Sequence, residues 1–277
     1  MPINPVIPLS GLGGWRFLER TQVRQQDLFN RSTEIQREVD YFRDNIEQVE
    51  TSQDLVSDRR LLNVALGSYG LGGEIDKRAF VRNILDEGVF DPQSFANRLG
   101  NPAYIEFTEM FSFADGGFFP TSGRVDEIVD NFLTVSFEEA VGDVDGAMRL
   151  SLNFKREMSE LAGQGLTQTT GWLRAIGSRP IRAVLEGAFN LPAAFSQIDI
   201  DQQIGVLIDK SKQVFGSASI DVFADPEILD SAIKRFQLRE QINNGPSANT
   251  RGMSALSILG GSGIGSGGIL NLLLSNA

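Results

Sequence analysis

Apolar residues recur every three or four positions through most of the chain, which is the spacing of one face of an α-helix. No stretch alternates strictly enough between apolar and polar residues to require a β-strand. The pattern therefore predicts an all-α, multihelical bundle. In the region from 33 to 49, for example, the apolar positions are Ile35, Val39, Phe42, Ile46 and Val49.

Capping residues indicate where the predicted helices begin. Thr33 followed by Gln36 resembles a capping box, in which two side chains satisfy free backbone N–H groups. Asp91-Pro92 and Asn101-Pro102 each join a capping residue to a proline, which is favoured at the first helical position. Each of these two dipeptides predicts the start of a short helix. The longer predicted helices span residues 33–49, 58–69, 76–87 and 124–140.

The helical pattern of the first half of the chain returns in the second half. Four blocks keep their order, while the spacing between paired residues drifts only slightly from 112 to 125. Helical proteins share caps and apolar spacing in general, which explains one such match more easily than four in register. The sequence thus predicts two tandem, internally duplicated helical repeats. The paired blocks are residues 42–49 with 154–161, 65–71 with 185–191, 99–102 with 223–226, and 111–113 with 236–238.

This duplication defines the predicted organisation of the chain. We expect the two copies to pack together as one body, because a unit of about 80 residues buries limited surface alone. The C-terminal segment is rich in Gly and Ser, which is typical of a flexible tail. Its apolar run, residues 269–274, is expected to dock either on its own body or on a partner. The predicted units are an apolar N-terminal segment (1–14), a first helical repeat (15–123), a connecting helix that ends or bends at Gly142 (124–142), a second helical repeat (143–243) and the tail (244–277).

Composition excludes several kinds of chemistry. The sequence contains no Cys and no His, which removes thiol chemistry, Ser-His pairs and most zinc sites. The formal net charge of −11 argues against binding to nucleic acid or to anionic membrane surfaces. The longest apolar run near the C-terminus is far shorter than the ~20 residues that span a bilayer, so no membrane span is expected.

Two patterns that could carry chemistry are better explained without it. Gly263-x-Gly265-x-x-Gly268 has the form of a dinucleotide fingerprint, but no strand precedes it and no acidic residue follows it at the required distance. Paired carboxylates lie near predicted helix ends, where they favour the helix dipole. We therefore predict no catalytic, cofactor-binding or metal-binding residue and no cofactor. The carboxylate pairs are Glu138-Glu139, Asp143 with Asp145, and Asp199 with Asp201.

Apolar and aromatic residues at the N-terminal segment and between the two predicted copies are the candidates for contacts with a protein partner. Trp15 follows the Gly-rich N-terminal segment, and either core packing or a partner contact explains it. The candidate partner-binding residues are Leu12, Trp15, Phe17, Leu18, Phe118 and Phe119.

Several segments resemble the domain-of-unknown-function 1217 family of alphaproteobacterial proteins, whose genes tend to lie among flagellar genes. The resemblance extends from the N-terminal region to about residue 243 and implies an all-helical, duplicated fold. It implies no catalytic residues, because the family has none established. The segments that carry it are Pro8-Leu9-Ser10-Gly11-Leu12-Gly13-Gly14-Trp15-Arg16-Phe17-Leu18, Tyr41-Phe42-Arg43-Asp44-Asn45-Ile46, residues 55–67 and Ser94-Phe95-Ala96-Asn97-Arg98-Leu99.

The resemblance implies a non-enzymatic structural or interaction protein that serves as an accessory factor in flagellar assembly or motility. A rod subunit is disfavoured, because neither terminus shows long heptad-patterned ends. The expected partner is a protein, such as a flagellar component, and the expected location is the cytoplasm or, after export without a cleaved signal peptide, the flagellum. Two alternatives remain: a helical binding module for a small apolar ligand, and an enzyme that uses carboxylates. The oligomeric state is left open.

Overall fold

A computed structural model of the protein describes residues 4–243, apart from the side chain of Asp115. Within that range the chain forms thirteen α-helices and no β-strand, so the prediction of an all-α fold is confirmed. The predicted tail, with its Gly263-x-Gly265-x-x-Gly268 motif and its apolar run, lies outside the described residues. The helices are α1 (Gly11–Asn30), α2 (Thr33–Asn45), α3 (Ser52–Ser57), α4 (Arg59–Gly67), α5 (Arg78–Glu87), α6 (Phe95–Leu99), α7 (Pro102–Phe111), α8 (Ser122–Val144), α9 (Gly146–Ala162), α10 (Gln168–Gly177), α11 (Arg179–Ala188), α12 (Ile200–Phe215) and α13 (Pro226–Asn243).

Side-chain caps begin several of these helices where the sequence places them. Asn101 accepts a hydrogen bond from the backbone N–H of Ala103, and Pro102 is the first residue of α7, so this predicted start is confirmed. Asp58 accepts hydrogen bonds from two backbone N–H groups in the first turn of α4. Asp145 does the same at the start of α9. These caps fix the points at which the chain turns from one helix into the next.

One predicted helix start and one predicted cap are wrong. Asp91-Pro92 forms a turn, because the Asn97 side chain donates hydrogen bonds to the backbone carbonyls of both Asp91 and Val89. The helix that follows, α6, begins only at Phe95. The expected capping box at Thr33 is absent as well. Ser32 precedes the first turn of α2, and Gln36 instead donates a hydrogen bond to the Asn30 carbonyl, 2.7 Å away.

Gly142 does not end the connecting helix, which corrects that part of the expectation. Helix α8 continues to Val144. An added Cβ at Gly142 would lie 2.5 Å from Cδ of Arg149. The missing side chain therefore makes room for Arg149 of α9 to lie against α8, where it pairs with Glu139 at 3.2 Å. Close packing between two helices, and not helix termination, explains this glycine.

The N-terminal helix α1 begins at Gly11, inside the segment that the sequence analysis set apart as residues 1–14. Gly14 lies on its buried face, where an added Cβ would come within 2.8 Å of the Met148 side chain. The segment before α1 folds back along it, because Gln25 exchanges two hydrogen bonds with the backbone of Val6. Residues 4–10 are thus part of the folded body.

One connected apolar core runs through both predicted repeats. Helix α9 lies near its centre and packs against α8, α11 and α13, as well as α10 and α1. The buried Gln237 of α13 donates hydrogen bonds to the Ala147 carbonyl and to Ser151 of α9. Apolar and polar contacts together therefore join α9 to the helices around it. The largest fully buried side chains include Trp15, Trp172, Phe42, Phe107, Phe111, Phe137, Phe154 and Phe223.

Local features recur at the positions that the predicted duplication pairs. Gly67 of α4 lies against the ring of Phe132, and Gly187 of α11 lies against the ring of Phe236. Phe132, which contacts Gly67, lies on α8. The predicted duplication, however, pairs residues 236–238 of α13 with residues 111–113 at the end of α7. Helix α7 packs mainly on α5 and α6. The duplication therefore stays a prediction, supported by the two glycine contacts but not by the packing of α7.

The glycine contacts lead to a stability prediction. We expect Gly187→Ala to lower the free energy of unfolding by about 1–2 kcal/mol, because the added Cβ would lie 2.6 Å from Cδ2 of Phe236 and overpacking outweighs the gain in helix propensity. In the control Gly205→Ala, no atom lies within 4 Å of the added Cβ, so a gain of about 0.5–1 kcal/mol is expected. Equilibrium denaturation measures both. Equal effects of the two substitutions would contradict the close contact.

Candidate functional site

Glu138 lies in the interior of α8 and is 4% exposed. The sequence analysis placed the pair Glu138-Glu139 near a helix end as solvated caps, and this is wrong for Glu138. The buried positions Val135 and Val141 stand three residues before and after it, so Glu138 belongs to the buried stripe of the helix. That spacing is the signal in the sequence that could have identified it.

Two side chains of α9 hold the Glu138 carboxylate. Arg156 binds it with both prongs of its guanidinium, with Nε 3.0 Å from Oε1 and Nη2 2.9 Å from Oε2. Asn153 donates a further hydrogen bond to Oε2. Asn153 and Arg156 are three residues apart on one helix and so share a face. The arrangement satisfies a buried charge, which would otherwise be costly, and it joins α8 to α9.

Glu157, the residue after Arg156, connects these side chains to α11. Ser178, which precedes α11, donates a hydrogen bond to Oε2 of Glu157 at 2.6 Å and also caps the helix through the N–H of Ile181. Burial raises the pKa of Glu157, although the Ser178 hydrogen bond and the charge of Arg156 oppose this shift. We call Glu138, Asn153, Arg156, Glu157 and Ser178 the glutamate–arginine cluster.

Charge in the cluster reinforces the ionised state of its arginine. Burial alone would lower the pKa of Arg156, but the hydrogen bonds and charge of Glu138, with the charge of Glu157, outweigh it and raise the pKa. The charges around Arg156 also act on Glu106 of α7. Desolvation, together with the charges of Glu157 and Glu160, raises the pKa of Glu106. The cluster thus joins α8, α9 and the residue before α11, and its charges also act on Glu106 of α7.

General acid–base chemistry needs a substrate within hydrogen-bond reach of the titrating group. One groove on the described residues, of about 270 Å³, is lined by Glu19, Lys155, Pro226, Glu227, Leu229, Asp230 and Ile233. None of these belongs to the glutamate–arginine cluster. Residues 4–243 also contain no group of three or more acidic side chains placed to hold a metal ion. The cluster geometry is suited to holding helices together.

The six candidate partner-binding residues do not form one surface. Trp15 and Leu18 are completely buried in the core, and Phe118 is almost completely buried. Leu12 is partly buried against the same core. Phe17 on α1 is partly exposed, and Phe119, in the segment before α8, is 66% exposed. Of the six candidates, Phe17 and Phe119 are the two that present substantial surface to solvent.

The sequence analysis missed other exposed apolar side chains, several of them at the helix ends of α1 and α13. They look like ordinary members of apolar stripes, and nothing in the local sequence separates them from buried positions. Phe90, between α5 and α6, is 80% exposed. The remaining large apolar side chains with substantial exposure include Val6, Leu9, Val23, Leu28, Leu238 and Ile242.

The buried pair leads to a prediction by substitution. We expect Arg156→Met to cost about 2 kcal/mol of unfolding free energy, because it leaves the Glu138 carboxylate buried without its cationic partner. Glu138→Leu/Arg156→Met removes both charges and should recover most of that loss. The control Arg149→Met breaks a half-exposed pair with Glu139 and should cost less than about 1 kcal/mol. Urea denaturation checks all three, and a double variant no more stable than Arg156→Met would contradict the pairing.

The raised pKa of Glu106 predicts a pH dependence. A raised pKa means that the folded state favours the protonated form, so ionisation of Glu106 destabilises the fold as pH rises through that pKa. Glu106→Gln should therefore stabilise the protein at pH 7, by about 0.5 kcal/mol for this partly exposed group.

That gain should disappear as the pH falls below the ordinary range of glutamate, about 4.3. Thermal or chemical denaturation at pH 7 and pH 4 measures it. The control Glu50→Gln makes the same change of net charge at an exposed site. A gain for Glu106→Gln that is equal at both pH values would contradict the electrostatic cause.

Comparisons with known proteins place the fold. The model of a family described as "Protein of unknown function (DUF1217)" matches residues 68–229. The X-ray crystal structure of protein AGR_C_984 from Agrobacterium tumefaciens superposes with a TM-score of 0.69 at 25% sequence identity, over 87% of this chain and 100% of the other. No curated protein matches the sequence. Among the helices of residues 4–243, none combines the length and apolar content needed to cross a bilayer.

Proposed function

The chain belongs to the DUF1217 family, and we propose that it is a non-enzymatic structural or interaction protein, an accessory factor in flagellar assembly or motility. The non-enzymatic, structural part of the proposal is supported by the buried charged groups, which are paired with one another inside the protein. The carboxylate of Glu138 is bound by Arg156 and Asn153 of the adjacent helix, and Glu157 is bound by Ser178. The flagellar part rests on the resemblance to a family whose genes tend to lie among flagellar genes.

Phe119 is the best-supported contact for a protein partner. Its neighbour Phe118 is buried against Phe111, with ring centroids 4.9 Å apart, and against Phe113 at 6.1 Å. Phe119 therefore projects from a segment that aromatic packing fixes to the body. Exposed aromatic side chains on a rigid support are frequent anchors of protein interfaces, because little conformational entropy is lost when they bind.

The alternative, a helical module for a small apolar ligand, has less support. A groove of about 270 Å³ falls just below the usual range of ligand pockets, about 300–1,000 Å³. Glu19, Lys155 and Asp230 are among its lining residues, and charged groups do not favour an apolar guest. The groove lies where α1 of the first predicted repeat meets α9 and α13 of the second, so its small volume and its charged lining are what disfavour this alternative. A carboxylate-based enzyme is the third alternative.

The N-terminal segment is unsuited to a deletion test, because removing residues 1–14 would also remove the first turn of α1 and the buried Gly14. A point substitution avoids this. We expect Phe119→Asp to abolish capture of a flagellar component in pull-downs from the native cell and to reduce swimming in a complemented knockout. Its unfolding free energy should change by less than about 0.5 kcal/mol, as at other surface sites.

The matched control is Phe90→Asp on another loop, where the phenylalanine is 80% exposed; it should leave both capture and swimming unchanged. Normal swimming in the knockout itself would refute the flagellar role. Equal loss of capture in both variants would refute the assignment of the partner contact to Phe119.

A further inference from the structure

Three exposed apolar side chains lie at one end of the body, where α1 begins and α13 ends. The two helices touch there, since an added Cβ at Gly11 would lie 2.8 Å from Oε1 and 3.1 Å from Cβ of Gln241. Leu238 and Ile242 flank Gln241 on α13, and Ile242 is 71% exposed. Leu9 lies two residues before Gly11, and its Cδ1 is 3.6 Å from the position that an added Cβ at Gly13 would take. We call Leu9, Leu238 and Ile242 the α1–α13 apolar patch.

The part of the sequence that follows α13 carries the complementary feature. Residues 244–277 contain a single charged residue, Arg251, and end in the apolar run Ile269-Leu270-Asn271-Leu272-Leu273-Leu274. This segment leaves the described body next to Ile242, within the patch. An uncharged apolar run and an exposed apolar surface are thus joined by a covalent link.

We propose that residues 269–274 dock on the α1–α13 apolar patch of the same chain. The 26-residue step from Asn243 to Ile269 corresponds to a root-mean-square span of about 28 Å for a Gly/Ser-rich sequence. The linker is therefore long enough for the apolar run to reach the patch. This inference goes beyond the proposed function and does not depend on it.

Intramolecular docking is favoured over pairing with a second copy for two reasons. A short linker gives the run an effective concentration near the millimolar range at the patch, well above ordinary protein concentrations. Two copies of the chain, each with a formal net charge of −11, also repel each other. The run itself carries no charge, so its approach to the body of its own chain meets no such repulsion.

The absence of cysteine from the sequence allows a disulfide test in the full chain. Asn243→Cys is combined either with Ser275→Cys, next to the apolar run, or with Ser262→Cys, in the Gly/Ser-rich part. Loop closure alone would make the shorter pair, 243 with 262, form its disulfide about twofold faster. Docking reverses that order, and we expect the 243–275 pair to close at least about fivefold faster under mild oxidation.

Substitutions in the patch complete the test. In the same cysteine variants, Leu238→Asp/Ile242→Asp should make the 243–262 disulfide the faster one to form, as loop closure alone predicts. The control Phe90→Asp should leave the 243–275 disulfide the faster one. The two substituted residues are exposed, and circular dichroism checks that helix content is kept. A faster 243–262 pair in the unsubstituted patch would overturn the proposal. Disulfide-linked dimers as the main product would overturn it too, because the occupant would then be a second copy.

Discussion

The burial of α9 is the constraint on which the rest of the structure depends. A helix at a protein surface buries one stripe, but α9 buries four successive residues, Ser151 to Phe154. Helices α8, α11 and α13 must therefore cover it from different sides. Helix α8 also packs against α4 and α1 of the first predicted repeat, and α1 packs against α13 of the second, so these contacts join the two predicted repeats through one core.

Placing a helix at the centre of the core also brings its polar residues into the interior. Asn153 and Arg156 have no access to bulk water on the side that faces α8, so α8 supplies Glu138 as their partner. Such a pair adds little net stability compared with apolar packing. Its geometry does require one register of α8 against α9, because a shift of either helix would leave a buried charge unpaired. The cluster that looks most like an active site is accounted for by this structural requirement.

Local sequence was sufficient for features that are set by local energetics. The all-α class, the start of α7 at Asn101-Pro102 and the end of α5 before Gly88 follow from periodicity, capping and backbone preference. Features decided by distant contacts were not predictable. The partners of Glu138 lie on another helix, and Gly142 is explained by Arg149 of α9. Phe118 and Phe119 are adjacent and identical in type, yet only tertiary packing decides that the first is buried and the second exposed.

The claim that α9 unites the two halves of the chain in one cooperative core is tested most directly by native-state hydrogen exchange at increasing denaturant concentration. If the core is cooperative, the slowest amide protons of α4, α9 and α11 exchange with the same free energy and the same denaturant dependence, because these helices open only in global unfolding. If instead the amides of α4 exchange at a much lower free energy than those of α11, the two halves unfold independently and the account is contradicted.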